Sequence, residues 1–417
     1  MKLSELIAAL TRKLIFSEEY KNSVRKSPQD FTRKRKMMFE ELILYMLISL
    51  KRSTQSALRR FFTDIGKIVL MKQQSLSEAR AKIAVTAFVR LFKLTADAMI
   101  EHCANKWHNY RVYAIDGVKI ALPADPKLLE YYGGTGKTKS SPTAQGSALY
   151  DVLNDIVADA AIVPLSTDER TLAKLHIDAC RDLAPDDKKL LLFDRGYPSF
   201  ELIEKLESDG LYYLMRVKSK FNADIDAQTA SDGYVWLKQG NKRIRVRVIK
   251  FFLDSGEEEV LITNINDRRL GKNAFKKLYF MRWPIEGKFD VIKNKLQVEN
   301  FNTRTVEGIQ QDFFAAMYLT NFAASCAIDV QEEIESKRED KDNKYQYQAN
   351  INELIGVLKD RLVLALAEDD PAKQAAKISL ILDEIKEYVV PIRPGRSVPR
   401  NSSPRKTKFH HNQKANC

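Results

Sequence analysis

The chain has 417 residues, with 68 Lys/Arg, 55 Asp/Glu, a net charge of +13, 44% hydrophobic residues and 29% charged. This is the make-up of a globular protein of about two to four domains, not of a disordered or fibrous chain. Cys103, Cys180, Cys326 and Cys417 form no CxxC pair and the histidines show no ligand spacing, which argues against a zinc ribbon or a disulfide framework.

The charge is uneven. Residues 1–60 carry 14 Lys/Arg against 6 Asp/Glu, and residues 391–417 carry 7 Lys/Arg and no acid, leaving −2 for the middle. A near-neutral centre with basic ends is the pattern of a nucleic-acid binder. No apolar run approaches the roughly 20 residues that cross a bilayer. Arg12 and Lys13 interrupt the N-terminal apolar segment, against a signal peptide. The expectation is a cytoplasmic protein without membrane contact.

In chain order, residues 1–110 read as helical. Phe39–Leu50 is an apolar helix behind the basic run Arg33-Lys-Arg-Lys36, Ser53 caps a second helix to Phe62, and Ser75–Phe92 is a third with Arg80, Lys82 and Arg90. Short basic helices in series fit a DNA-binding bundle, and equally a packing or dimerisation domain. From Arg111 the texture changes. Val112–Asp116 is a strand continued by Gly117–Pro123, and residues 133–147 read as a mobile Gly/Ser/Thr/Lys loop. Ala148–Leu153 and Ile156–Val163 form a hairpin turning at Asn154-Asp155. Ser166-Thr-Asp-Glu169 is a capping-box pattern opening a helix to about Ala184. Leu190–Asp194 is an apolar strand ending in an acid, Ser199–Ser208 a helix, and Leu211–Val217 a strand. Three period-2 runs between 220 and 265 read as an all-β insertion. Helical pattern resumes near Lys272 and continues through Val306–Val330 and Ile351–Ala367. Lys337–Lys344 reads as a solvated link, and the chain from Pro391 as a disordered basic tail.

One stretch carries most of the chemistry. Tyr279, Arg282, Glu286 and Lys293 stand at offsets 0, 3, 7 and 14, within roughly 60° of one another on an ideal helix. Pro284 cannot donate a helical hydrogen bond and is expected to start the glutamate helix, with Trp283 as its boundary. Beyond the proline, Glu286 and Lys293 keep a common face. Two further acids sit at punctuation points: Asp116 before Gly117, and Asp194 at the end of the apolar strand. Reactive groups gather at the carboxyl ends of strands in open α/β sheets. Three carboxylates suit hard, oxygen-loving ions such as Mg²⁺ or Mn²⁺, and phosphodiester cleavage commonly uses two.

The set Ala114-Ile-Asp116-Gly117, Leu192-Phe-Asp194-Arg-Gly-Tyr197 and Tyr279-x2-Arg282-x3-Glu286-x6-Lys293 resembles the DDE transposases of bacterial insertion sequences. The likeness is to the branch with a Tyr-Arg-Glu-Lys signature and a β-rich insertion, and it runs from about Phe31 to Ala324. It implies an α/β fold: an RNase H-like mixed sheet flanked by helices, interrupted by the insertion. It implies that Asp116, Asp194 and Glu286 hold two divalent ions, Mg²⁺ or Mn²⁺, and catalyse hydrolysis and strand transfer at transposon ends. Tyr279, Arg282 and Lys293 would contact DNA phosphates. The implied partners are double-stranded DNA (terminal inverted repeats and target) and a second copy of the chain in a nucleoid-associated complex.

The expected division is 1–110 for end binding, 111–219 and 269–330 for the catalytic core, 220–268 for the insertion, 331–390 for dimerisation and 391–417 for the tail. An RNase H-like nuclease or resolvase, and an inactive transposase-derived DNA-binding protein, are the alternatives. Gly133-Gly-Thr-Gly136-Lys137-Thr138 mimics a P-loop, but Tyr131 stands where that motif needs glycine and no strand precedes it. In related transposases the insertion carries a residue that stabilises a flipped base. Trp236, between Val235 and Leu237, is expected instead to be packed core.

Overall fold

A computed structural model gives the fold and describes residues 1–33, 35–48, 54–253, 255–338 and 344–393. Lys34 of the basic run, the Ser53 cap, most of the charged link and the tail from 394 lie outside the described residues. The chain divides into two compact units, residues 1–98 with those from 294 onward, and residues 99–293.

The N-terminal part of the first unit holds α1 (Leu3–Ile15), α2 (Glu18–Val24), α3 (Phe39–Ile48), α4 (Thr54–Asp64), α5 (Gln73–Arg80) and α6 (Thr86–His102). The helix expected over Ser75–Phe92 is broken in two. Ile83 is fully buried and forms a β-bridge with Arg25. The backbone bonds Lys26 N to Lys82 O and Ala84 N to Val24 O accompany it. Backbone groups committed to that bridge cannot also continue a helical ladder.

The second unit begins with β1 (Tyr110–Ala121), one continuous strand of 12 residues. Then come α7 (Pro126–Tyr132), β2 (Gly134–Thr135), β3 (Ser141–Asp151) and β4 (Ile156–Pro164). The loop expected over 133–147 is therefore mostly strand. Residues 142–151 of β3 are all buried although the run is rich in small polar residues. Gly133, with φ +83, ends α7 and leads into β2, so the P-loop-like run is a helix stop and a strand pair. α8 (Glu169–Asp182) is capped by Asp168, whose carboxylate accepts from the N–H groups of Arg170 and Thr171, rather than by Ser166. Then follow β5 (Lys188–Phe193), α9 (Phe200–Ser208), β6 (Tyr212–Val217), α10 (Ala223–Ala227), β7 (Asp232–Gln239), β8 (Lys242–Phe252) and β9 (Glu258–Thr263). α11 (Lys272–Phe280) and α12 (Pro284–Asp290) close the unit, and a π turn over Val291–Lys295 spans its boundary at Lys293.

Eight strands run in the order β2-β3-β1-β5-β6-β9-β8-β7, with β4 paired to β3. β4, β3 and β1 are antiparallel neighbours, while β1, β5 and β6 run parallel. That centre is a mixed sheet, antiparallel on one side of β1 and parallel on the other. The three strands between residues 220 and 268 extend it through antiparallel pairing of β9 with β6. α8 packs on β1, β3 and β4, and α12 on β1.

The remaining first-unit elements are α13 (Val306–Ser336), β10 (Tyr347–Ala349), α14 (Ile351–Leu366), α15 (Pro371–Glu387) and β11 (Val389–Pro391). α13 packs on α1, α3, α14 and α15, so helices from both ends of the chain share one core. By length and composition α13 could cross a membrane, which corrects the expectation that no segment approaches that size, but 78% of its apolar window is buried inside the protein.

A buried ion pair anchors the start of β1. Arg111 Nε donates to Asp151 Oδ2 at 2.6 Å, with the two side chains 2% and 0% exposed. Asp151 also accepts from the backbone N–H groups of Leu153 and Asn154, tying down the β3–β4 turn. Removing one partner strands a buried charge. Asp151→Ala is expected to cost about 3–5 kcal/mol in urea unfolding, and Arg111→Met with Asp151→Leu to recover most of it.

Candidate active site

β1 and β5 pair in parallel from Tyr110↔Lys188 to Ala114↔Leu192. Asp116 and Asp194 each lie two residues beyond that last pair, so the register itself puts the two carboxylates at equivalent places. Asp116 Oδ1 accepts from the Gly117 N–H at 2.8 Å and Oδ2 from Arg282 Nη1 at 3.2 Å. Asp194 Oδ1 accepts from the Tyr279 hydroxyl at 3.0 Å.

The segment from Tyr279 to Lys293 is not one helix. α11 stops at Phe280, a turn of i→i+3 bonds spans Met281–Trp283, and Pro284 opens α12 with Trp283 at its N-cap. The expected proline boundary is where the sequence placed it, but the π turn at Val291–Lys295 adds a second irregularity before Lys293. Convergence comes from the fold instead of a straight stripe. Arg282 is 4% exposed and reaches both Asp116 and, through Nη2, Glu286 Oε1 at 3.0 Å. Lys293 Nζ donates to the Lys119 carbonyl of β1 at 2.9 Å. Asp116 thus lies within β1 and Asp194 just past the end of β5, with Tyr279 bonded to Asp194, Arg282 to Asp116 and Glu286, and Lys293 to the main chain of β1.

Two residues escaped the sequence reading. Glu169 looked like half of a helix cap, yet its carboxylate lies beside the glycines that follow the two aspartates: a Cβ added at Gly117 would stand 3.5 Å from its Oε1, and one at Gly196 3.6 Å from its Oε2. Lys288 is 10% exposed and pairs with Asp155 at 2.6 Å, fixing the glutamate helix to the β3–β4 turn. Neither carried a local signal, since both partners are distant in sequence. Trp236 corrects another expectation. It is 46% exposed while Val235 and Leu237 are buried, because residues on a strand alternate faces. Arg243 lies 5.1 Å from its ring centroid, and Arg245 lies 4.1 Å from that of Tyr234.

Burial raises Asp116 to about 6, with Glu286 and Asp194 adding to it, against the Gly117 N–H and Arg282. At Asp194 burial also raises, but the Arg195 N–H, Arg282, the Tyr279 hydroxyl and Arg216 outweigh it and hold the acid below its ordinary value. Burial and then Asp194 push the Tyr279 phenol up, so it stays a donor at neutral pH.

As a donor set, Asp116, Asp194 and Glu286 offer only carboxylate oxygen and fit a hard divalent cation in kind. They do not form a closed cage: among the described residues no three His, Cys, Asp or Glu stand together as a metal site. Arg282 bridges Asp116 and Glu286.

The family profile for the transposase DDE domain matches residues 107–322, more than half of the chain. The chain belongs to the transposase DDE domain family. Family members generally use divalent metal ions. The Escherichia coli (strain K12) protein InsZ, whose name describes it as a transposase, is 24% identical over 187 residues. That match covers 43% of this chain and 61% of InsZ, so the chain spans under two thirds of that relative. Among solved structures, the piggyBac transposase synaptic complex with hairpin DNA aligns over 94% of this chain and 87% of that one, with a TM-score of 0.48 and 12% identity.

For this DDE-domain protein the raised Asp116 has a thermodynamic sign. Its folded value, about 6, exceeds the ordinary 3.8, so its stabilising contribution is complete below about pH 4 and is lost as pH rises through 6. In EDTA, Asp116→Asn is expected to match the parent near pH 4 and to exceed it by roughly 1–3 kcal/mol at pH 8 in chemical unfolding. An equal difference at both pH values would contradict the burial of that charge.

Proposed function

We propose that the protein is a DNA transposase that hydrolyses the 3′ ends of an insertion sequence and joins them to target DNA in a cut-and-paste reaction. The observation that supports this reading is the bonding of Asp116 and Glu286 by Arg282, and of Asp194 by Tyr279, within a chain of the transposase DDE domain family. The three acids would hold two Mg²⁺ or Mn²⁺ ions, whose chemistry is to activate the attacking oxygen and stabilise the leaving one.

The chain's own groups position the DNA. Arg282 Nε–H is buried and has no hydrogen-bond partner among the described residues, which leaves it as a donor for an incoming acceptor. A scissile phosphate fits it, because guanidinium forks match phosphate geometry. Tyr279, held as a neutral phenol, donates a hydrogen bond to Asp194 and orients it. Lys293 adds charge beside β1. The exposed face of β7 and β8, with Tyr234, Trp236, Arg243 and Arg245, offers rings for stacking and cations for phosphates. The basic helices of residues 1–110 would bind the terminal inverted repeats, and residues 331–390 would help join two copies, since two ends must be held together. Acting on bacterial chromosomal DNA would place the complex in the cytoplasm at the nucleoid.

Glu286→Gln separates cutting from binding. It is expected to reduce Mg²⁺-dependent cutting of element-end DNA by about 100-fold or more, while end-DNA affinity in a gel-shift assay stays within about threefold. Cutting that survives the change would remove Glu286 from the chemistry. Trp236→Ala is expected to weaken end binding by about 1–3 kcal/mol. Log affinity should fall linearly with log salt, as for any complex neutralising many phosphates.

A further inference from the structure

A chain of three polar side chains from three elements, buried at Ser147 and His176 and half-buried at Asp159, ends on the Asp116 main chain. Asp159 Oδ2 of β4 stands 2.8 Å from His176 Nδ1 of α8. His176 Nε2 stands 3.0 Å from Ser147 Oγ of β3. The Ser147 hydroxyl donates to the Asp116 carbonyl of β1 at 3.1 Å.

The composition is that of an acyl-transfer triad, but the burial excludes that role. Ser147 is 2% exposed and His176 0%. No acyl substrate reaches a hydroxyl sealed between strands and aimed at a main-chain carbonyl. The last link falls on a particular peptide. Its C=O, that of Asp116, accepts from Ser147, and its N–H, that of Gly117, donates to the Asp116 carboxylate at 2.8 Å. Whatever orients that peptide plane orients the carboxylate. Hydrogen bonds in series also polarise one another, so a stronger bond at the carbonyl makes the N–H a better donor.

We propose that Ser147 and His176, braced by Asp159, are positioning residues that set the Asp116–Gly117 peptide and through it the angle of the Asp116 carboxylate. α8 would then serve the site twice. Glu169 and His176 are seven residues apart, about 20° around the helix, and face the two aspartate glycines and Ser147 respectively. The proposal rests on reading Asp116 as an ion-holding acid, and the test keeps the two apart.

The full-length protein is compared as Ser147→Ala, Ser147→Thr, His176→Gln and the Ser147→Ala/His176→Gln double variant. Mn²⁺ affinity is measured by electron paramagnetic resonance without DNA, the Gly117 amide by NMR, and cutting by single-turnover assay. Ser147→Ala is expected to shift the Gly117 amide, weaken Mn²⁺ binding and slow cutting by about 10-fold, the lower end for partners one shell out from an ion. End-DNA affinity should remain within about twofold. Ser147→Thr, which keeps the hydroxyl, should restore all three, and the double variant should lose no more than the worse single one. If His176→Gln fails to fold, the Ala and Thr variants at Ser147 decide alone. An unmoved Gly117 amide and unchanged Mn²⁺ affinity in folded Ser147→Ala would overturn the relay. Absence of Mn²⁺-dependent cutting in the parent would instead overturn the transposase reading, while the Gly117 amide would still report on the relay.

Discussion

Two carboxylates do not share one half-buried cation's reach without that positive charge, and here the Arg282 guanidinium supplies it. With 4% of its side chain exposed, it bonds Asp116 and Glu286 at once. Burial alone would lower its own basicity, but Tyr279, Asp116, Asp194 and Glu286 reverse that and hold it above its ordinary value. Such a group is costly to bury alone and costly to remove once its partners depend on it. The bend at Pro284, the docking of α12 on β1 and the seat of Lys288 on Asp155 all place this one side chain or the acid it holds.

The sheet does the complementary work. Because β1 and β5 run parallel and in register, two aspartates 78 residues apart reach the same edge of the fold without a local motif joining them. Their environments then diverge. Asp116 is pushed up by burial and its acidic neighbours, while Asp194 is held down by a backbone N–H, two arginines and a phenol. Two carboxylates of one type thus acquire different proton affinities, which lets one stay firmly anionic while the other answers to what binds beside it.

What was legible in the sequence followed the strength of local signals. Apolar runs such as Leu190–Phe193 gave β5, the Asn154-Asp155 turn gave the hairpin, and a proline marked the start of α12. The carboxylates and the four signature residues were readable as a pattern, and the structure joins them by pairwise contacts: Tyr279 with Asp194, Arg282 with Asp116 and Glu286, and Lys293 with the main chain of β1. β3 was not readable in full: Ala144–Ser147 lies between β1 and β4, where small residues suffice and no hydrophobic alternation is needed. Trp236 misled because two apolar neighbours suggest a core, although strand alternation turns it outward. The break at Ile83 and the roles of Glu169, Lys288 and His176 depend on partners distant in sequence, which no window of local pattern contains.

The central claim is that Asp116, Asp194 and Glu286 surround the reacting phosphate together with divalent ions. Anomalous diffraction from crystals of the protein with element-end DNA and Mn²⁺ addresses it directly. The account predicts anomalous peaks within ligand distance of those three carboxylates, with Arg282 turned toward a phosphate oxygen. Manganese peaks elsewhere on the protein, with Arg282 still joining Asp116 to Glu286 beside bound DNA, would contradict it.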